Sequence, residues 1–267
     1  MIDRRNFVTG ASAALAGMAL PLLDTRLAEA KALKGISYGS NKLDLYTPGS
    51  DNAPVIVYVH GGAWRLGNRG EGRPVAEAFN SLGYAVASID YSLSADAERQ
   101  AREVGQAVSW VKSNISRYGG NSSRVAVMGH SAGCHLASLA VLSGLAPPVS
   151  ALVANDTGAY DIAYLAKISG GRLPILYSAL NTPAKWRQWS PISYVGGAGG
   201  MPVLVAWSGA KFRVAVSTRF ADALASHGHP VTRFNGTGYS HFSIRSGMSK
   251  RGDRLNTAIT QFLAANV

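Results

Sequence analysis

At 267 residues, with 47% hydrophobic and 15% charged side chains, the chain carries enough apolar surface to bury a large core, which excludes intrinsic disorder. Its formal charge of +11 is scattered without a basic run, which argues against a nucleic-acid partner and leaves a solvated basic surface. A single cysteine, Cys134, excludes an intramolecular disulfide.

The chain begins with Asp3-Arg4-Arg5-Asn6-Phe7-Val8, a weakly apolar run from Thr9 to Leu23, and then Leu27-Ala28-Glu29-Ala30. This resembles a twin-arginine signal peptide cut after Ala30. The resemblance implies the twin-arginine export machinery as a partner and a periplasmic or secreted bacterial protein. The run falls short of the ~20 apolar residues that cross a bilayer, so no stable membrane span is expected after processing. Residues 1–30 are therefore read as leader and 31–267 as one domain.

Beyond the leader, strands are expected at Ile36–Tyr38, Lys42–Tyr46, Val55–Val59, Tyr84–Ile89, Arg124–Met128, Ser150–Asn155, Pro202–Trp207 and Val231–Asn235. Helical stretches separate them near Arg73–Ser81, Ala97–Tyr118, Ala132–Ser143, Ser217–Ser226 and Asp253–Ala264. Strands alternating with helices predict an α/β fold around a mainly parallel sheet flanked by helices. Residues 157–200, rich in aromatics and ending in Gly196-Gly197-Ala198-Gly199-Gly200, are read as an insertion forming a small cap. That glycine stretch lacks a following Lys-Ser/Thr, so it does not fit a phosphate-binding loop.

Gly129-His130-Ser131-Ala132-Gly133 matches GxSxG, the sharp strand-to-helix turn that lifts a nucleophilic serine clear of a sheet. The setting agrees: the apolar run Val125–Met128 precedes it, and the helical pattern Cys134–Leu139 follows. His60-Gly61-Gly62-Ala63-Trp64, at the end of an earlier strand, resembles the HGGG or HGGxW segment of esterases. By that resemblance the N–H groups of Gly62, Ala63 and Ala132 form an oxyanion hole.

With Asp90-Tyr91-Ser92-Leu93 and Tyr118-Gly119-Gly120, these motifs resemble the esterases and arylformamidase-like proteins of the α/β-hydrolase fold that include the hormone-sensitive-lipase group. The match covers nearly all of residues 31–267. Ser92 departs from it, because an Arg often follows Asp-Tyr in that family, and this puts a structural ion pair in doubt.

Of six histidines, His241 follows the last expected strand and gives the serine-then-histidine order of this fold, so it is the candidate base. His227 and His229 precede that strand and are read as surface loop residues. His60 and His130 belong to the backbone motifs, and His135, one helical turn past Ser131, is expected to pack or hydrogen-bond. None has metal-ligand spacing, and no metal or cofactor is expected.

The family places an Asp or Glu after the strand corresponding to Pro202–Trp207. Here that loop reads Ser208-Gly209-Ala210-Lys211-Phe212-Arg213 and contains no carboxylate. Asp222 lies too far along the next helix. Asp156, at the end of the neighbouring strand Ser150–Asn155, is the candidate replacement, displaced by one inter-strand spacing of ~4.8 Å. An Asx turn is its alternative role. Asp161 is the second candidate, and a site with no acid is the third.

These residues predict a serine hydrolase acting on small carboxylic esters through an acyl-enzyme, with Ser131, His241 and Asp156 as its triad. Trp64 and Tyr239, with Tyr160, Trp186 and Trp189, are the aromatics available to line an acyl or aryl pocket. Amide hydrolysis of aryl formamides, and a catalytically degenerate binding protein suggested by Lys211, are the alternatives.

Overall fold

The computed structural model describes residues 31–197 and 199–267. The expected leader, residues 1–30, lies outside the described residues.

Eight strands form one sheet: β1 Lys31–Tyr38, β2 Asn41–Thr47, β3 Ala53–Val59, β4 Ala85–Ile89, β5 Gly120–His130, β6 Ala151–Asn155, β7 Val203–Ser208 and β8 Val231–Gly236. Their spatial order is β1-β2-β4-β3-β5-β6-β7-β8. The β1–β2 and β2–β4 pairings are antiparallel, whereas β4, β3, β5, β6, β7 and β8 run parallel to one another. The central strands are continuous apolar runs because both of their faces are covered. Val125 and Val127 face one core layer, while Ala126 and Met128 face the other.

The connecting helices are α1 Arg73–Asn80, α2 Ala97–Asn114, α3 Ala132–Leu142, α4 Ile162–Ile168, α5 Trp186–Trp189, α6 Lys211–Ser226, α7 His241–Gly247 and α8 Arg254–Asn266. Helices α2, α3 and α6 pack into the first layer, and α1, α7 and α8 into the second. Among the described residues, no helix is long and apolar enough to cross a membrane.

Every expected strand is present, with ends moved by a few residues. Helix α6 begins at Lys211, six residues before the expected Ser217, and α7 was not anticipated. The described residues of 157–200 form no strand; they hold α4, α5 and short 3-10 turns at Ile175–Leu180, Pro183–Lys185 and Pro191–Tyr194. The aromatics of this segment hold it together. Tyr160 stacks on Phe220 at 4.1 Å, Trp186 donates its indole N–H to the Leu180 carbonyl, and Trp189 is buried.

The Asp90 carboxylate beside Tyr91-Ser92 does have a cationic partner. Arg69, in the 3-10 turn Arg69–Gly72, bonds Asp90 through Nη1 at 2.6 Å and Asp44 through Nε at 2.8 Å. Ser92 instead gives its N–H and hydroxyl to the Glu103 carboxylate.

Candidate active site

Ser131 is the residue between β5 and α3, with φ 59° and ψ −123°. Two close approaches make this turn possible. A Cβ on Gly129 would stand 2.4 Å from the Gly133 carbonyl oxygen, and one on Gly133 would stand 2.1 Å from the Val59 carbonyl oxygen. No side chain fits either gap, so the glycines let the turn fold back on itself and dock against the end of β3. The serine thus stands at the N-terminus of α3, where the helix N–H groups favour a developing negative charge.

His241 opens α7, just past β8. The preceding residue, Ser240, caps that helix in a reciprocal box with Ser243, which fixes where the imidazole leaves the backbone. Its Nε2 lies 3.0 Å from Ser131 Oγ, and its Nδ1 lies 2.7 Å from Asp156 Oδ2. Serine, histidine and aspartate therefore form one continuous hydrogen-bonded chain. The Asp156 side chain is fully buried, and that of His241 is 18% exposed.

The other Asp156 oxygen, Oδ1, accepts the backbone N–H of Ser208 at 2.8 Å and its hydroxyl at 3.0 Å. Arg213, itself buried, donates from Nη1 to the Asp156 carbonyl oxygen at 2.9 Å and approaches Oδ2 to 3.6 Å. Burial pushes the carboxyl up, yet the His241 hydrogen bond, the Arg213 charge and the Ser208 N–H together hold it below the usual carboxylate range. It is ionised at neutral pH.

Asp161, the second candidate acid, caps α4 through the Tyr164 N–H and pairs with Arg219 at 2.9 Å, which commits its carboxylate elsewhere. Asp222 sits on the surface in an ion pair with Arg233.

The segment after β3 reaches the nucleophile. A Cβ on Gly61 would lie 3.3 Å from Ser131 Cβ. The chain then turns, with the N–H groups of Arg65 and Leu66 donating to the Gly62 carbonyl. Among the described residues, no backbone hydrogen bond of this turn engages the N–H of Gly62 or Ala63. Among the described residues, four of the five non-glycine residues with positive φ belong to this region: Ala63, Trp64, Ser131 and Asp156. Such conformations cost on the order of 1–3 kcal/mol each, so the surrounding contacts must hold them in place.

His130 lies against the base. It is buried, its Nε2–H donates to the His241 carbonyl at 3.1 Å, and the two rings are 4.6 Å apart. Burial, and then the His241 charge, push its pKa down to about 3, so it stays neutral. His130, Asp156 and His241 are also the one group of three side chains, among the described residues, whose ligating atoms come within 4.8 Å of one another. Hydrogen bonds of the chain just described already occupy His241 Nδ1 and both carboxylate oxygens.

The two expected pocket aromatics both have partners in the framework. Trp64 is buried; its indole N–H donates to His135 Nδ1 at 3.0 Å, and its ring packs on Tyr177. It lines a cavity of about 600 Å³ with Arg65, Leu93, Asp96, Ala179 and Trp189. Tyr239 packs its ring against Phe234 and donates its hydroxyl to Asp253 Oδ1 at 2.6 Å. The exposed aromatic next to the base is Phe242, which walls a second cavity of about 270 Å³ with Tyr58, Glu71 and Arg245. His135 packs as expected, with Nε2 on the Trp189 carbonyl. His229 does not behave as a surface residue. It is buried, and its two ring nitrogens meet the carbonyls of Met201 and Val195 at 2.9 Å.

The model of the family BD-FAE matches residues 43–164, a span that includes Ser131 and Asp156 and stops before His241. The esterase LipQ of Mycobacterium tuberculosis is 29% identical over 259 residues, covering 85% of this chain and 61% of LipQ. LipM of the same organism, a probable carboxylic ester hydrolase, is 40% identical over 119 residues, covering 40% of this chain and 28% of LipM. The chain thus spans less than two thirds of either relative. Among solved structures, a truncated carbohydrate esterase from gut microbiota superposes with a TM-score of 0.71 at 20% identity, covering 90% of this chain and 97% of that one. An esterase from Pseudomonas putida gives 0.69 at 20% identity, covering 89% and 82%. Sheet order, the strand-turn-helix at Ser131 and these superpositions establish that the chain has the α/β-hydrolase fold.

Proposed function

We propose that this protein is a serine hydrolase that cleaves small carboxylic esters through an acyl-enzyme. The observation that carries the reading is the chain from Ser131 Oγ through His241 to Asp156, at the carboxyl ends of parallel strands. His241 Nε2 takes the Ser131 proton as Oγ attacks the ester carbonyl. The N–H groups of Gly62, Ala63 and Ala132 receive the oxyanion, each donor being worth ~2.7–4 kcal/mol in the transition state. Collapse expels the alcohol, protonated by His241, and water then repeats the sequence to release the acid and restore Ser131. The ionised Asp156 keeps Nδ1 protonated and offsets the charge on the imidazolium.

Esters come first because LipQ and LipM bear ester-hydrolase names; aryl formamides are the second substrate class. The degenerate-binding alternative rested on the lack of an acid beside His241, and the 2.7 Å contact with Asp156 removes that motive. The test is labelling by a fluorophosphonate, read by intact mass, beside turnover of a p-nitrophenyl ester series and an N-formyl arylamine. Stoichiometric labelling and ester turnover, both lost in Ser131→Ala, are expected. Folded protein that neither labels nor turns over would overturn the reading.

Export by the twin-arginine route is part of the same proposal and is supported by Arg4-Arg5 and the weakly apolar run to Leu23. Replacing both arginines by lysine should retain the precursor in the cytoplasm; processing of that variant as in wild type would refute the assignment.

A further inference from the structure

The β7–α6 connection supplies no acid, yet a side chain on either side of it, Ser208 and Arg213, converges on the carboxylate that does the work. Asp156 occupies the left-handed region at φ 58°, where a non-glycine residue stays only if its neighbours hold it. Three contacts do so. Its N–H donates to the Ala206 carbonyl at 2.9 Å, its carbonyl accepts Arg213 Nη1 at 2.9 Å, and its Oδ1 accepts both donors of Ser208. The first two fix the peptide planes on either side of Cα and hence the direction of Cβ. The Ser208 pair fixes rotation of the carboxylate and leaves Oδ2 for His241. Arg213 is 96% buried, and among the described residues Asp156 provides the only carboxylate within 4.0 Å of it. Ser208 ends β7 and Arg213 lies in the first turn of α6, so a strand end without an acid of its own grips the acid of its neighbour.

We propose that Arg213 is a positioning residue of the triad, acting with Ser208 to make the carboxylate at the end of β6 usable by His241. The inference rests on the serine-hydrolase reading above. Arg213 has an electrostatic role as well, because its charge partly balances the carboxylate that His241 faces. The other groups facing His241 are Ser131, the neutral His130 from β5, and on its own helix Phe242 and Arg245, the latter paired with Glu71 at 2.8 Å. Removing the Arg213 cation leaves the carboxylate unbalanced and favours the protonated imidazole. Because the base must be neutral, the acid limb of the rate profile moves to higher pH.

The experiment measures kcat, KM and fluorophosphonate labelling rate across pH for Arg213→Met and Arg213→Lys, each in wild-type and Asp156→Asn backgrounds, with thermal unfolding alongside. Misplacing a catalytic group by about 1 Å costs up to ~100-fold, so Arg213→Met should lower kcat about 10- to 100-fold with KM changed less than about twofold. The acid limb should rise in Arg213→Met and return in Arg213→Lys. In the Asp156→Asn background the same Met substitution should cost less than about twofold, because the group it positions has gone. A kcat loss of equal size in both backgrounds, or an unmoved pH profile, would show a merely structural arginine and overturn the proposal. Should Arg213→Met fail to fold, Ser208→Ala removes one donor to Oδ1; its kcat loss must disappear in Asp156→Asn, and persistence defeats the proposal. Turnover that survives Ser131→Ala defeats the serine-hydrolase reading itself, a result no Arg213 variant produces.

Discussion

Ser208 ends β7, Asp156 follows β6, and two hydrogen bonds into a single carboxylate oxygen join them, at 2.8 and 3.0 Å. The acid stands at the end of β6 with its other oxygen on His241 Nδ1 at 2.7 Å. Asp156→Asn should therefore behave as a triad mutation. Loss of the orienting carboxylate costs ~10⁴-fold in kcat in comparable triads. Turnover of a p-nitrophenyl ester should fall by about three to four orders of magnitude, whereas Asp161→Asn, which keeps the cap on α4 and breaks only the ion pair with Arg219, should stay within about threefold of wild type. Comparable losses in the two variants would deny Asp156 its role.

Ser131 trades stability for its position. Its backbone, at φ 59° and ψ −123°, suits glycine, and relieving such strain recovers on the order of 1–3 kcal/mol against roughly 1 kcal/mol for the added freedom of glycine. Ser131→Gly should be without turnover yet unfold at a temperature equal to or above that of wild type, as calorimetry can check.

Gly133 permits no side chain, since a Cβ there would lie 2.1 Å from one carbonyl oxygen and 2.3 Å from the next, at Val59 and His60. Gly133→Ala should cost more than about 3 kcal/mol, in the range reserved for overpacking at a site that cannot yield. Gly144→Ala offers the comparison. It has positive φ and no atom within 4 Å of its Cβ, so strain alone, about 1 kcal/mol, is expected in urea denaturation.

Tyr239 holds α8 through its hydroxyl on the Asp253 carboxylate that caps that helix. Tyr239→Phe should lower stability by about 1 kcal/mol, the usual worth of one such bond, and leave kcat/KM unchanged. A selective rise in KM for aryl esters would return Tyr239 to the pocket.

Burial holds His135 neutral, with a pKa pushed down from 6.5 to about 4. Its Nδ1 accepts the Trp64 indole, so protonation would set two donors against each other. Between pH 6.5 and about pH 4 the unfolded chain binds a proton at this residue that the folded chain does not. Stability must then fall as pH drops through that window. His135→Gln should be less stable at pH 7 but should lose stability less steeply on acidification, by up to one proton's worth of slope. An unchanged slope would place the acid sensitivity elsewhere.

The sheet was legible because its central strands are unbroken apolar, β-branched runs such as Val55–Val59, a pattern that survives without knowledge of neighbours. Helix α6 was read six residues short for the converse reason. Its first turn, Lys211-Phe212-Arg213-Val214, mixes charge with a β-branched residue, and Ala210 offers no side-chain cap. The signal for α7 was present as Ser240 and Ser243 three residues apart, a capping box closed by serine where glutamate is commoner. Ser131 and His241 could be named from motif and order, and Asp156 from its place at a strand end. Arg213 and His130 could not, because nothing in a sequence separates a buried, partnered cation from a solvated one, and the tilt of one imidazole onto another arises only in the fold. His229 was misplaced because its partners, the carbonyls of Met201 and Val195, are brought to it only by the fold.

The triad contacts join residues 110 and 85 positions apart, with β6, β7 and α6 lying between serine and histidine in the chain. Closing such long loops is slow compared with forming helices. Regain of turnover during refolding therefore acts as a clock for the last half of the sheet: helix signals should recover first, and ester cleavage only when β8 has delivered His241 to a serine that was folded into place well before it.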